Sequence, residues 1–239
     1  MIPPLILPDP SSTKPSVWVK ICGLRDLDSA RTVSRLGLAA IGLNFYQKSS
    51  RFVDDATAQA IVRGLAPDIR VVGVFVNATL DELRERVSAI PLDAVQFHGD
   101  ETAAEIAAFH AACPETAIVL VLRFGSAGLR PGLERLQELE ALQIPVSACL
   151  IDAQVAGSYG GTGAVVPWQR LREELAAARL PPIILAGGLH PGNVAEAIQV
   201  VQPQGVDVAS GVETSPGVKD ADRVVAFLAA CRSASSVET

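Results

Sequence analysis

The feature that most limits what this chain can fold into is a repeated alternation. From Ser16 onward, short β-branched runs bounded by Gly, Pro, Asn or Asp are each followed by a longer stretch with helical periodicity. Strands are expected at Val17–Cys22, Ala40–Asn44, Arg70–Phe75, Ala94–His98, Ile118–Arg123, Ala148–Asp152, Ile183–Ala186 and Val206–Ala209. Helices are expected after them at about 26–36, 55–65, 79–88, 101–111, 133–141, 168–178, 192–200 and 219–231. Local start signals agree: Asp54 or Asp55 before Ala56, Thr79 with Glu82 three residues on as a capping box, and Pro191 just inside its helix. The strands are continuously apolar, as in a parallel sheet buried on both faces, and eight βα units over roughly 220 residues match an α/β fold, a single (β/α)8 TIM barrel. A doubly wound open sheet is the alternative arrangement of the same units.

With 239 residues, length alone leaves one large domain or two small ones open. The alternation divides the chain into a Pro-rich flexible extension at 1–15, a barrel catalytic domain at 16–232 and a tail at 233–239. The extension carries four prolines before position 11 and no basic n-region, which argues against a signal peptide. The longest strongly apolar runs, such as Ala117 to Leu122, fall far short of the ~20 residues of a membrane span. Acidic residues outnumber basic ones by 26 to 20, and no Lys/Arg cluster occurs, so nucleic acid is not expected as a partner. The four cysteines, at 22, 113, 149 and 231, show neither C-x-x-C spacing nor a neighbouring metal-ligand pattern. No disulfide framework and no metal are expected, and a reducing cytoplasm is the simplest home.

Barrel active sites are assembled at the C-terminal ends of the strands, where the unusual polar residues Cys22, Asn44, His98, Arg123 and Asp152 stand. In strand 1 the period of two puts Lys20 and Cys22 on one face, opposite Val19 and Ile21. An inward ammonium must be paired, and strand 8, adjacent to strand 1 in a closed barrel, offers Asp207. The plainer alternative is a solvated Lys20 on a frayed strand end. Cys22, followed at once by Gly23, is placed to act as a general base once its thiol ionises, although a lone cysteine also serves as a small buried hydrophobe. Cys149, on the face of strand 6 opposite Asp152, fits that structural role.

Asp152 ends an apolar run and precedes the glycine-rich stretch Gly157-Ser158-Tyr159-Gly160-Gly161-Thr162-Gly163, whose backbone can approach an anion. Turn formation is the ordinary use of such an Asp. The segments Ala186-Gly187-Gly188-Leu189-His190-Pro191-Gly192-Asn193 and Ala209-Ser210-Gly211-Val212-Glu213 follow strands 7 and 8, the customary phosphate site of this architecture. They match neither a Walker loop nor a dinucleotide fingerprint, so a small phosphate ester is the expected ligand. Arg51, in the loop after strand 2, suits bidentate capture of a carboxylate.

Taken together, Lys20-Ile21-Cys22-Gly23-Leu24, Asn44-Phe45-Tyr46 through Ser49-Ser50-Arg51-Phe52, Val95-Gln96-Phe97-His98-Gly99-Asp100-Glu101, Gly160-Gly161-Thr162-Gly163, Leu185-Ala186-Gly187-Gly188-Leu189 and Gly205-Val206-Asp207-Val208 through Ser215-Pro216-Gly217 resemble the phosphoribosylanthranilate isomerase family of tryptophan biosynthesis. The motifs occur in the family's order across about residues 17–230. The resemblance implies an Amadori rearrangement of N-(5-phosphoribosyl)anthranilate, with Cys22 as general base, Asp152 as general acid and Arg51 on the anthranilate carboxylate. It also implies that backbone around Gly161, Gly188, Ser210 and Gly211 holds the phosphate. His98 is expected to line the substrate pocket, or to serve as a hydrogen-bonded structural histidine.

No cofactor is implied, because the substrate's own iminium is the electron sink. The partner is a small phosphorylated substrate, without nucleic acid or membrane, and the protein is expected to be a monomer or homodimer. Gln47 and Ser50 stand where Pro is common in the family, Arg25 where a small hydroxyl residue is usual, and Ala164-Val165-Val166-Pro167 in place of a more polar run. Rival readings are a dual-substrate phosphoribosyl isomerase, which usually carries aspartates at both catalytic positions, and a non-catalytic phosphate-ligand sensor, which would lack the acid or the base.

Overall fold

The computed structural model describes residues 17–153 and 165–235. Strands β1 (Trp18–Cys22), β2 (Ala40–Asn44), β3 (Arg70–Phe75), β4 (Ala94–Phe97), β5 (Ala117–Phe124), β6 (Ala148–Ala153), β7 (Ile183–Leu185) and β8 (Gly205–Val208) pair in parallel as a closed barrel. Closure is explicit in β1, which pairs with β2 on one side and with β8 on the other, Lys20 standing opposite Asp207. That double pairing excludes the open sheet. Helices α1 (Leu27–Ser34), α2 (Asp55–Gly64), α3 (Leu80–Ala89), α4 (Ala103–Ala112), α5 (Arg130–Ala141), α6 (Trp168–Ala176), α7 (Val194–Val201) and α8 (Ala221–Ser235) follow the strands in turn.

The caps explain several boundaries. Asp54 accepts a hydrogen bond from the Thr57 amide at the start of α2, and Thr79 with Glu82 forms the expected reciprocal capping box. A second box, Thr102 with Glu105, opens α4. Pro191 is not the first residue of α7: Asn193 is the N-cap, and Pro191 lies in the preceding turn. Asn193 instead ties that turn together, its Oδ1 accepting from the His190 amide and its Nδ2 donating to the Gly188 carbonyl. The helix therefore starts later than the proline suggested. At the other end of the chain, α8 runs to Ser235, into the stretch expected as a tail.

Strand periodicity sorts the core into two layers. Val19, Ile21, Ile41, Leu43, Leu120, Leu122 and Ile151 face outward against helix residues such as Ile61, Ile106, Phe109 and Phe227. Trp18, Ala40, Val72, Ala94, Val119, Ala148, Leu150 and Ile184 fill the barrel itself. Small residues at 40, 42 and 94 leave the space that Trp18, Lys20 and Gln96 occupy. A Cβ at Gly42 would lie 3.1 Å from Lys20 Cε. Cys149 is fully buried in the outer layer, and burial pushes its thiol up to about 12. Among the described residues, no helix is long and apolar enough to cross a membrane.

Lys20 is 0% exposed, and its Nζ lies 3.0 Å from Asp207 Oδ2 and 3.0 Å from Gln96 Oε1. Burial alone pulls the ammonium down, but Asp207 and the Cys22 sulfur outweigh it and hold the lysine pKa above its ordinary value. An interior charge is retained because two acceptors from separate strands replace its water. Lys20→Met should therefore leave Asp207 buried without its counter-charge and lower unfolding stability by roughly 3–5 kcal/mol. Lys20→Met/Asp207→Leu should recover much of that loss in urea unfolding, whereas a single variant as stable as the parent would show that the pair carries no such constraint.

Candidate active site

The inward faces of β1, β4, β5, β6 and β8 bring a polar layer to the C-terminal mouth. Cys22 ends β1 one inward step above Lys20, with Gly42 as its neighbour on β2. A Cβ at Gly42 would lie 2.5 Å from Cys22 Sγ, so the glycine gives the sulfur its place. Burial pushes the Cys22 thiol up, while Lys20 and Lys219 pull it down and Asp207 adds to the rise. The balance stays above the ordinary thiol value. Lys20 opposes the shift, but desolvation exceeds it.

Arg51 reaches the same mouth from the loop after β2. Asn44 shapes that loop by accepting from the Tyr46 amide and donating to Ser49 Oγ, which in turn accepts from the Arg51 amide. The Arg51 side chain passes over Gly23, where φ is +81° and a Cβ would lie 2.5 Å from Arg51 Cδ. Its Nε and Nη2 donate to Glu213 at 2.9 and 2.7 Å. The side-on fork is thus engaged with a protein carboxylate. Arg25, one of the departures from the family pattern, donates to the carbonyl of another, Ser50, at 2.8 Å and braces this loop.

Glu213 and Lys219 were not assigned roles from sequence. They belong to a small hairpin after β8, formed by β9 (Glu213–Ser215) and β10 (Val218–Lys219). Lys219 Nζ donates to Glu213 Oε1 at 2.6 Å and to the Ala209 carbonyl at 3.1 Å. Burial raises the Glu213 carboxyl, but Arg51 and Lys219 together bring it below its usual value. Lys219 is pulled down by burial despite Glu213. Glu213 therefore anchors two cations that face Cys22, across a sequence separation that no local pattern reveals.

Asp152 ends the inward face of β6. Its Oδ1 accepts from the Ala153 amide at 2.8 Å, and its Oδ2 lies 3.3 Å from His98 Nε2. Gly187 backs it at the end of β7, with φ at +84°, and a Cβ there would stand 3.2 Å from Asp152 Oδ1. His98, just past β4, also meets Gln96, whose Nε2 is 2.9 Å from His98 Nδ1. Arg123 on β5 fixes the backbone at this point, Nη2 donating to the His98 carbonyl at 2.7 Å and Nη1 to Asp100 at 2.6 Å. His98 thus stands at the mouth with Nδ1 2.9 Å from Gln96 Nε2 and Nε2 3.3 Å from Asp152 Oδ2.

The loops after β7 and β8 interlock. A Cβ at Gly211 would lie 1.9 Å from the Leu189 carbonyl, which only a glycine permits. Ser210 opens a short 3₁₀ turn, Ser210–Val212, beside Gly188, whose φ is +63°. The loop carrying Ser210 and Gly211 is thereby packed against the Leu189–His190 stretch that follows Gly188. Gly161 and its neighbours Gly157 to Gly163 lie outside the described residues. Among the described residues no cluster of three His, Cys, Asp or Glu side chains has a metal-binding arrangement.

The Cys22 environment makes a direct prediction. Its thiolate, followed by ultraviolet difference absorbance between the parent and Cys22→Ser without added substrate, should titrate with a midpoint above the ordinary thiol value of about 8.5. Lys219→Met removes an attraction for the thiolate and should move the midpoint further up. A midpoint at or below the ordinary value would contradict this electrostatic account.

Known proteins match most of the chain in sequence and in fold. The family model for N-(5'-phosphoribosyl)anthranilate (PRA) isomerase matches residues 19–230. The chain is 41% identical over 225 residues to the N-(5'-phosphoribosyl)anthranilate isomerase of Pseudomonas aeruginosa (strain UCBPP-PA14), covering 94% of this chain and 100% of that one. Among solved structures, phosphoribosyl anthranilate isomerase from Thermotoga maritima superposes with a TM-score of 0.76 at 32% identity, over 91% of this chain and 99% of that one. A phosphoribosyl anthranilate isomerase in complex with reduced 1-(o-carboxyphenylamino)-1-deoxyribulose 5-phosphate gives a TM-score of 0.73 at 31% identity, over 91% and 99% of the two chains.

Proposed function

The chain belongs to the N-(5'-phosphoribosyl)anthranilate isomerase family, and we propose that it carries out that family's reaction with Asp152 as general acid and Cys22 as general base. The reaction is an Amadori rearrangement in tryptophan biosynthesis, an isomerisation of N-(5-phosphoribosyl)anthranilate to 1-(o-carboxyphenylamino)-1-deoxyribulose 5-phosphate. The observation that carries the assignment is that Cys22 and Asp152, on β1 and β6, face one barrel mouth bounded by Arg51 and the β7 and β8 loops.

The steps follow from the groups present. Asp152 gives its proton to the ribose ring oxygen as the C1–O bond breaks, and the anilino nitrogen supplies the electron pair that forms the C1–N iminium. That iminium acidifies the C2 proton, which Cys22 removes as thiolate. The electrons move into C1–C2, giving an enolamine that ketonises to the product. Because burial favours the thiol, turnover runs through the thiolate fraction that Lys20 and Lys219 support. The end-on edge of Arg51 takes the anthranilate carboxylate, and the amides around Gly161, Gly188, Ser210 and Gly211 take the phosphate. We place the catalytic unit at residues 16–232 and the protein in the cytoplasm, where this pathway's intermediates are made.

The test is loss of anthranilate fluorescence when pure protein meets freshly made phosphoribosylanthranilate. Parent protein should convert it, and absence of conversion would favour a ligand sensor. Cys22→Ala and Asp152→Asn should each lower kcat by roughly 10²–10⁴ with KM changed far less. Arg51→Ala should act mainly on KM, and a Cys22→Ala enzyme with full turnover would remove the base assignment.

A further inference from the structure

Resting on the assignment of Asp152 as acid, we infer that Lys20 and Gln96 fix His98 in the neutral tautomer with its proton on Nε2, making His98 a positioning residue that donates to Asp152 and keeps the acid's own proton for the substrate. An ammonium has only protons to offer, so the Gln96 atom 3.0 Å from Lys20 Nζ is the carbonyl oxygen. The other end of the amide is then NH2, which only donates, and it lies 2.9 Å from His98 Nδ1. Nδ1 must accept. The neutral ring therefore carries its proton on Nε2, which lies 3.3 Å from Asp152 Oδ2. The opposite tautomer, or an imidazolium, would set two N–H groups face to face.

The orientation is held from both ends. Gln96 is 1% exposed and cannot turn its amide without presenting NH2 to the buried ammonium. Lys20 is itself held by Asp207, and the His98 backbone by Arg123. The chain thus runs from β1 and β8, through β4, to β6. Its chemical consequence lies at Asp152. A bare Nε2 would accept the Asp152 O–H and draw the acid's proton toward the histidine. With Nε2–H in place, His98 only donates, so the proton stays free for the ribose oxygen.

The test reads the tautomer directly. The chain has three histidines, so nitrogen-15 spectra of histidine-labelled protein are tractable, and loss of a resonance set in His98→Gln assigns it. The parent should show a protonated Nε2 and an unprotonated Nδ1. Gln96→Glu places a carboxylate that only accepts beside Nδ1. It should bring a proton there and lower kcat by roughly 10-fold or more, part of the 10²–10⁴ that a placed acid supplies, with KM little changed. His98→Gln retains an N–H near the Nε2 position and should keep far more turnover than His98→Ala, which a proton-transferring histidine would not allow. A proton on Nδ1 in the parent, unchanged kcat in a folded Gln96→Glu variant, or equal losses in the two His98 variants would overturn the inference. The two levels separate cleanly. A parent that fails to isomerise refutes the proposed function, whereas the wrong tautomer in an active parent refutes this inference alone.

Discussion

Lys20 is a full positive charge inside a closed barrel, and the placement of the site depends on how that charge is satisfied. Its ammonium spans from β1 to Asp207 on β8 and Gln96 on β4, so strands that close the barrel and strands that face each other across it share one polar contact. Desolvation makes every such contact expensive to break. The same ammonium lies beside Cys22 and orients the amide that meets His98. A single buried charge thus connects barrel closure, the base and the surroundings of the acid.

The mouth above it is electrostatically economical. The chain carries 26 acidic against 20 basic residues, and Arg51 and Lys219 are two of the basic ones that stand at the mouth. Glu213 fastens Arg51 and Lys219 at one rim, leaving the end-on guanidinium edge for a carboxylate. Glycines at 187 and 211 bring backbone close to Asp152 and to the neighbouring loop. In the proposed function, neutral amides there would meet the phosphate without adding a charge beside Asp152 or Glu213.

Much of the fold was legible because it rests on local signals. Eight β-branched runs, helical periodicity and caps such as Asp54 and Thr79 are written in adjacent residues, and the strands fall within a residue or two of the expected bounds. The Lys20–Asp207 pair also followed, since strand periodicity and closure together leave few partners for an inward lysine. Pro191 misled because the Asn193 side chain bonds to the turn, so the helix starts later. Glu213 and Lys219 escaped notice for a different reason. Their roles come from a hairpin that returns over β1 and from contacts with Arg51, 162 residues away in sequence, and no periodicity encodes such a return. The state of Cys22 was also beyond the sequence, because it is the difference between desolvation and nearby charges.

The central claim is that one barrel mouth sets Cys22 and Asp152 about a single ribose, with the two anionic ends of the substrate held by Arg51 and by the β7 and β8 loops. The most direct measurement is a structure of this protein with the reduced product analogue bound. The account predicts Cys22 Sγ within roughly 3–3.5 Å of C2, the geometry of a group poised to react. Asp152 should face the oxygen released by ring opening, the carboxylate should lie on the Arg51 end-on edge, and the phosphate should lie against Gly188, Ser210 and Gly211. A ligand seated with C2 away from the sulfur, or with its phosphate at another rim, would contradict it.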